Sequence, residues 1–128
     1  MDNQEAFTRI VTHLRKQGEK SIDSCGACRY RDPVTKRRCA IGVLITDEFY
    51  SEAIEGRTCL DLQALGLLKA ALPRVSFGLL NSCQGGHDIY PCSQWEQKWR
   101  EVATYYGLIV PILEEPPLEE KEELVCAI

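Results

Sequence analysis

Three cysteines in the first third of the chain have the spacing of metal ligands. Cys25, Cys28 and Cys39 form the pattern C-x2-C-x10-C around a predicted turn, and close cysteine pairs on tight turns are common in tetrahedral zinc sites. A fourth ligand would have to come from a distant cysteine or from His87, because the sequence has no second C-x2-C pair and no H-x3-H pair. The alternative is that Cys28 and Cys39 face each other as small hydrophobic side chains of the core. The incomplete pattern favours that alternative, so we predict no cofactor and keep zinc at the three cysteines as an open hypothesis.

A basic cluster between residues 29 and 38 could bind anions. It contains five cationic residues and one acidic residue, Asp32. An arginine side chain can donate two parallel hydrogen bonds to the oxygens of a phosphate or a carboxylate. Tyr30, between two arginines, adds an aromatic face of the kind that stacks on nucleic-acid bases. However, the chain has a net charge of −4, whereas nucleic-acid-binding domains are strongly basic. Nucleic acid is therefore the less favoured ligand, and the simplest alternative is that the carboxylates between Asp47 and Glu55 balance the cluster.

A nucleophilic enzyme needs a thiol or hydroxyl, a base within reach, and a group that orients the base. Cys83, His87 and Asp88 form a candidate set, but their closeness in sequence does not define a geometry. The chain has neither a glycine-rich phosphate loop nor an H-E-x-x-H pattern. These observations leave the enzyme question open and favour a protein without catalytic activity.

The charges are distributed unevenly along the chain. The last fifteen residues contain six glutamates and one lysine, a net charge of −5, which leaves +1 for residues 1–113. With two prolines as well, this composition is typical of a solvated segment. We therefore predict a single compact domain over residues 1–113 and an acidic segment over residues 114–128. A glutamate-rich segment can also mimic nucleic-acid phosphates and occupy a basic groove on a partner protein.

Apolar periodicity predicts helices at both ends of the domain. The first helix has four apolar residues at helical spacing: Phe7, Ile10, Val11 and Leu14. Asp2 lies where its N-cap belongs and Gly18 where it should stop. The last helix begins with Ser93 and Glu96 in a capping-box pattern and stops at Gly107.

The middle of the chain predicts shorter elements. Helices are expected over residues 59–72 and 74–81, with a short acidic helix near residues 47–55 and a break at Gly85 and Gly86. The turn residues Asp32 and Pro33 lie between two short segments, which predicts a β-hairpin. The fold class is therefore predicted to be α+β, with four to five helices packed on a small antiparallel sheet built around one β-hairpin.

The longest apolar runs, residues 40–45 and 108–113, are far too short to cross a bilayer. The N-terminal residues lack the basic and apolar regions of a secretory signal. We therefore predict a cytoplasmic protein with no membrane partner. In a reducing compartment the seven cysteines, an odd number, are expected to be free thiols or metal ligands.

Several short motifs resemble a group of small proteins from bacteriophages, prophages and bacteria. They are C-R-Y-R at residues 28–31, C-A-I-G-V-L-I-T-D-E-F-Y at residues 39–50 and E-G at residues 55–56. The similarity covers most of residues 7–108 and excludes the acidic segment. Cysteines that match Cys28 and Cys39 recur in this group, whereas one that matches Cys25 need not. The resemblance implies no enzymatic residue, and phage proteins of this size commonly act by binding a host protein.

Two functions of different classes follow from these patterns. The first is a non-enzymatic protein-interaction module, in the form of a phage- or prophage-encoded inhibitor of a host protein or defence system, whose partner is a host or bacterial protein. The second is a small metal- or nucleotide-binding protein that uses the hairpin, with Cys28, Cys39, Arg31 and His87 lining the site. Seven residues are predicted to contact the partner or ligand: Arg29, Tyr30, Arg31, Arg37, Arg38, Asp47 and His87.

Overall fold

The computed structural model describes residues 1–112, and the predicted acidic segment over residues 114–128 lies outside them. The described part contains six α-helices: α1 (Asn3–Gln17), α2 (Ala40–Leu44), α3 (Cys59–Ala64), α4 (Leu67–Ala71), α5 (Phe77–Ile89) and α6 (Trp95–Tyr106). Two short 3-10 helices lie at Glu52–Ile54 and Cys92–Gln94. None of the helices in this range is long and apolar enough to span a membrane.

The predicted first helix is confirmed as α1. The Asp2 side chain accepts a hydrogen bond of 2.9 Å from the backbone N–H of Glu5, which satisfies one of the free donors at the helix start. Gly18 ends the helix in a left-handed conformation with a φ of 70°, and its N–H donates to the carbonyl of Leu14. The apolar stripe between these ends is fully buried. It makes α1 the helix on which α2 and α5 pack.

The last helix is confirmed as α6, but the predicted capping box is wrong. Gln94 is the residue before α6, and it makes no side-chain capping bond. Glu96 instead accepts two hydrogen bonds from Arg15 of α1, with N–O distances of 2.6 and 2.9 Å. Gly107 ends the helix with a φ of 66°, as predicted. The side chain that was expected to cap α6 therefore ties it to α1.

The predicted break at Gly85 and Gly86 is also wrong, because α5 runs through both residues. A Cβ at Gly86 would meet only Lys98 of α6, at 4.0 Å, and the space at Gly85 is open. Glycine costs an isolated helix about 1 kcal/mol relative to alanine, which packing of α5 on α6 can offset. The predicted helix over residues 59–72 is in fact two helices, since Gly66 adopts a φ of 77° between α3 and α4.

The predicted α+β fold with a hairpin-based sheet is wrong. Residues 1–112 contain no sheet, only two isolated bridges, Ile22 with Cys28 and Arg31 with Arg38. The apolar run after Cys39 forms the buried helix α2 and not the second strand. A short apolar run is compatible with either a buried strand or a buried helix. The helix can pack directly against the backbone of Tyr30 because Gly42 has no side chain.

The core lies between α1, α2, α5 and α6. Trp95 and Trp99 of α6 are both almost fully buried, so they belong to the core and not to a binding surface. Trp95 stacks on the ring of His87 from α5, with ring centroids 5.5 Å apart. Helix α5 thereby places a titratable side chain in the core. The hydrogen-bond partners of this side chain determine whether it can act as a base or as a metal ligand.

Candidate functional site

His87 is buried, and its hydrogen bonds define the tautomer of the neutral ring. Its Nε2 atom accepts a hydrogen bond of 3.1 Å from the backbone N–H of Ser21, and a backbone N–H can only donate. The proton of the neutral ring therefore resides on Nδ1, which donates to the Oδ1 atom of Asp88 at 2.7 Å. Both ring nitrogens are thus engaged. His87 joins α5 to the loop that begins at Ser21.

Gln84 completes the same cluster one turn earlier on α5. Its amide nitrogen donates to the Sγ atom of Cys28 at 3.3 Å and to Oδ1 of Asp88 at 2.9 Å. Its amide oxygen accepts from the backbone N–H of Ile41 in α2 at 3.0 Å. Burial raises the pKa of Asp88, but the hydrogen bonds from His87 and Gln84 outweigh burial, so that the pKa is lowered. The cluster is therefore a satisfied network around an ionised carboxylate.

Cys28, His87 and Asp88 together could hold a metal ion, since their ligand atoms lie within 4.8 Å of one another. The predicted ligands Cys25 and Cys39 do not belong to this group. A metal on Nδ1 would place the ring proton on Nε2, directly opposite the N–H of Ser21. The amide of Gln84 already bonds the other two ligand atoms. The hydrogen bonds present therefore fit the side chains without a metal, and a metal would require them to rearrange.

The thiols near this cluster are poor nucleophiles. A hydrogen bond with Cys39, together with burial, raises the pKa of Cys28. Burial raises the pKa of Cys83 to about 12. Thiolate is the reactive form of cysteine, and neither His87 nitrogen is free to act as a base for Cys83. Cys83 and His87 therefore do not form the nucleophile and base that their spacing suggested.

Glu55 fixes the backbone at the start of the basic cluster by accepting hydrogen bonds from it. Its nearly buried carboxylate accepts hydrogen bonds from the backbone N–H groups of Tyr30 and Arg31, at 2.8 and 3.0 Å. It also accepts a bond of 2.7 Å from the hydroxyl of Tyr50. Charge-assisted bonds of this kind are stronger than those between neutral groups. Glu55 thereby holds residues 30 and 31 in place without a sheet.

The arginines of this part are largely neutralised. Arg29 bonds both carboxylate oxygens of Glu52, at 3.0 and 3.3 Å, and Arg31 bonds Asp47 at 2.6 Å. The alternative prediction, that carboxylates between Asp47 and Glu55 balance the cluster, is correct for these two residues. Arg31 also lies over the ring of Tyr50 at 4.3 Å. Its Nε atom is buried and has no hydrogen-bond partner within residues 1–112.

The turn between the two bridged arginines is clamped by side chains. Asp32 accepts hydrogen bonds from the hydroxyl of Thr35 at 2.6 Å and from the N–H of Val34 at 3.2 Å. At the far end, the amide of Gln17 in α1 accepts from the N–H of Arg38 at 2.8 Å and donates to its carbonyl at 2.9 Å. Lys36 adopts a left-handed conformation with a φ of 65° at the tip. Side-chain bonds, local at Asp32 and long-range at Gln17, thus replace the strand ladder that the hairpin prediction required.

Two adjoining cavities flank this turn, and we call them together the basic cleft. One has a volume of about 260 Å³ and is lined by Arg31, Asp32, Pro33, Lys36, Arg37, Arg38, Tyr50 and Glu52. The other has a volume of about 370 Å³ and is lined by His13, Lys16, Gln17, Glu19, Thr35, Lys36 and Arg37. Five cations and three carboxylates line the cleft. Arg37 is paired with Glu19, whereas Lys16, Lys36 and Arg38 have no carboxylate of residues 1–112 within ion-pairing distance.

The structure separates the seven predicted contact residues into different environments. Tyr30 is buried, with its hydroxyl donating to the carbonyl of Arg57 at 2.5 Å, and His87 is part of the core. Arg29 and Asp47 lie in ion pairs. The remaining three, all arginines, line the basic cleft: Arg31, Arg37 and Arg38.

The prediction missed the residues that complete the cleft and the cluster. Lys36 was counted among the charges but not selected as a contact residue, although its place at the tip of an Asp32 turn was a usable signal. Lys16 and Gln17 lie on α1, and nothing in their sequence neighbourhood indicates that the turn packs there. Gln84 has no sequence signal at all, because its three partners are distant in the chain or a helical turn away.

The motifs that carry the resemblance to phage and bacterial proteins pack on one another. Gly42 of the second motif contacts the carbonyl of Tyr30 in the first. Tyr50 of the second motif and Tyr30 of the first both bond Glu55 of the third. The three motifs therefore form one structural unit. No protein-family model, no curated protein and no solved structure matches this chain, so the resemblance itself stays a prediction.

Proposed function

We propose that this protein is a non-enzymatic interaction module that binds an acidic segment of a partner protein in the basic cleft. The observation that carries the proposal is the group of three cations, Lys16, Lys36 and Arg38, that line the cleft without a carboxylate partner among residues 1–112. Charges that are already paired gain little from a new partner, whereas unpaired cations in a concave surface attract anions and raise their association rate.

The backbone that presents these cations is held before any ligand arrives. Gln17 clamps Arg38 through two hydrogen bonds, and the Asp32 side chain closes the turn that carries Lys36. Binding to a preorganised surface costs less conformational entropy than ordering a loop. The cleft can therefore bind an acidic peptide without first ordering its own turn.

Carboxylates fit the cleft better than nucleic acid does. The aromatic ring predicted to stack on bases, Tyr30, is buried, and one face of Tyr50 is covered by Arg31. Single-stranded nucleic acid is usually held by exposed aromatic faces as well as by charge. The three carboxylates of the cleft also limit its net positive charge. The sequence resemblance to phage and prophage proteins favours a host protein as the partner, and inhibition of that protein or of a host defence system as the outcome.

A labelled peptide of eight glutamates, titrated with the full chain and followed by fluorescence anisotropy, tests the proposal. We expect binding at low salt that weakens as the ionic strength rises, because exposed charges are screened. The double variant Lys36→Glu and Arg38→Glu should bind at least about tenfold more weakly, a loss of about 1.4 kcal/mol. The matched control is Lys69→Glu with Arg74→Glu, which makes the same charge change at exposed residues outside the cleft.

Two results would reject the proposal. One is equal weakening by the cleft variant and the control variant, which would show a response to net charge alone. The other is tighter binding of a single-stranded oligonucleotide than of the peptide at the same salt concentration. Circular dichroism of each variant checks that the helices are retained, so that loss of binding is not mistaken for unfolding.

Zinc binding at Cys28, His87 and Asp88 is a second candidate function, supported by the convergence of their ligand atoms within 4.8 Å. It requires the ring proton of His87 to move from Nδ1 and the Gln84 amide to withdraw. Native mass spectrometry of the untagged protein tests it. A mass increase of one zinc ion that is lost in the His87→Ala variant would support the zinc site, and a bare polypeptide mass after zinc addition would reject it.

A further inference from the structure

The described chain ends against α1, the helix whose last turn lines part of the basic cleft. The amide of Gln4 in α1 makes two hydrogen bonds of 2.9 Å to the backbone of Ile109. Further along, the carbonyl of Pro111 accepts a bond of 2.7 Å from Arg15. Residues 109–111 therefore contact side chains from the first turn and from the last turn of α1. Arg15 is followed in α1 by Lys16, a residue of the cleft.

The residues that follow are acidic. Six glutamates and one lysine lie between Glu114 and Glu123, and they give this stretch a net charge of −5. Extended chain covers roughly 3.3 Å per residue, so that ten residues can span about 30 Å. Cleft and segment have opposite charge, and only Ile112 and Leu113 separate Pro111 from the first glutamate.

We propose that the acidic segment of residues 114–123 occupies the basic cleft of its own chain, with its glutamates beside Lys16, Lys36 and Arg38. A tethered ligand experiences an effective concentration in the millimolar range, so that even a weak acidic sequence can fill the cleft. The segment would then compete with the acidic segment of a partner. Occupation of the cleft stands independently of the proposed function, whereas the competition rests on it.

Zero-length cross-linking of the full chain tests the occupation directly. A carbodiimide joins lysine amines to carboxylates that are in contact, and peptide mapping then identifies the joined residues. We expect products between Lys16 or Lys36 and the glutamates of the segment at low salt, and their loss at high salt. Lys69 of α4, which is exposed and lies outside the cleft, is the control amine.

An equimolar mixture of unlabelled and ¹⁵N-labelled protein identifies the source of the segment. Products in which both peptides carry the same isotope support occupation within one chain. Mixed-isotope products at the random frequency would overturn the proposal and point to a second copy as the source. Absence of segment products, or equal coupling to Lys69, would also overturn it.

The full chain with all six glutamates of the segment changed to glutamine tests the competition. We expect this variant to bind the labelled glutamate peptide about threefold to tenfold more tightly than the wild type, because the tethered competitor is removed. Equal binding without cross-links would overturn the proposal and leave the proposed function standing. Specific cross-links without peptide binding by either protein would support occupation of the cleft and reject the proposed function.

Discussion

Gly42 lies in α2 at a contact that has no room for a methyl group. A Cβ built at this position would lie 2.8 Å from the carbonyl carbon of Tyr30 and 3.1 Å from its Cα, and closer still to its carbonyl oxygen. Ordinary van der Waals contact begins near 3.4 Å. The obstructing atoms belong to the backbone, so they cannot rotate away. Gly42→Ala must therefore push α2 and residue 30 apart.

The expected cost of Gly42→Ala has two parts. Overpacking of a core costs about 1–3 kcal/mol, and displacement of residue 30 also disturbs the bonds that Glu55 accepts from Tyr30 and Arg31. A buried N–H group that loses its acceptor costs roughly 1–3 kcal/mol. The higher helix propensity of alanine offsets about 1 kcal/mol of this loss. We expect a loss of about 3 kcal/mol in the free energy of unfolding, equal to roughly 10–15 °C in the melting temperature.

Urea unfolding measures this loss, followed by circular dichroism and by the fluorescence of the two buried tryptophans. Gly85→Ala is the matched control, because its Cβ would meet no atom within 4 Å in the interior of α5. That variant should gain roughly 0.5–1 kcal/mol. A Gly42→Ala protein within about 0.5 kcal/mol of the wild type would refute the close contact between α2 and residue 30.

Three further predictions address the polar groups and the thiols. Glu55→Ala should lower the free energy of unfolding, measured in urea, by about 2–4 kcal/mol. Glu52→Ala, at an exposed carboxylate, should change it by less than about 0.5 kcal/mol. Similar losses in the two variants would contradict the role of Glu55. Because the pKa of Asp88 is lowered, its contribution is present above the unfolded pKa of about 3.9 and is lost as the pH falls through the lower folded value. The melting temperature of Asp88→Asn should therefore depend less on pH below about 4 than that of the wild type, and parallel profiles would contradict this. Iodoacetamide should modify exposed Cys25 in the native protein but buried Cys39 only after unfolding. Equal rates of modification of the two cysteines in the native protein would contradict the burial of Cys39.

The helices at both ends of the domain could be predicted because their signals are local. In α1, the cap at Asp2, the apolar stripe and the stop at Gly18 all lie within seventeen residues, and the structure contains each of them. In α6 the stop at Gly107 is likewise local. Glu96 was misassigned because its partner Arg15 is 81 residues away, and no local pattern reports such a contact.

The hairpin was predicted wrongly for the same reason. A turn at Asp32 exists, and Arg31 pairs with Arg38 across it. Beyond that single bridge, the backbone of the flanking residues is satisfied by distant side chains, Gln17 on one side and Glu55 on the other. Local turn signals cannot distinguish a ladder of strands from this arrangement.

The candidate site was predicted in part. Arg37 and Arg38 were found because the cationic residues are dense in the sequence, and both line the basic cleft. Lys16 was not found, since it enters the cleft only through the packing of the turn on α1. His87 was selected for its chemistry, but it is buried and both of its ring nitrogens are engaged, one by Ser21 and one by Asp88. It therefore cannot contact a partner at the surface. Charge could be predicted from the sequence, whereas accessibility could not.

The central claim is that the basic cleft binds acidic protein segments, and amide chemical shifts test it most directly. A ¹⁵N-labelled sample of the full chain is titrated with the glutamate peptide at low salt. We predict that the shift changes concentrate at Lys16, Gln17 and residues 35–38, and that they disappear when the salt concentration is raised. Changes centred on α6, or changes spread evenly over the lysines and arginines of the chain, would contradict the claim.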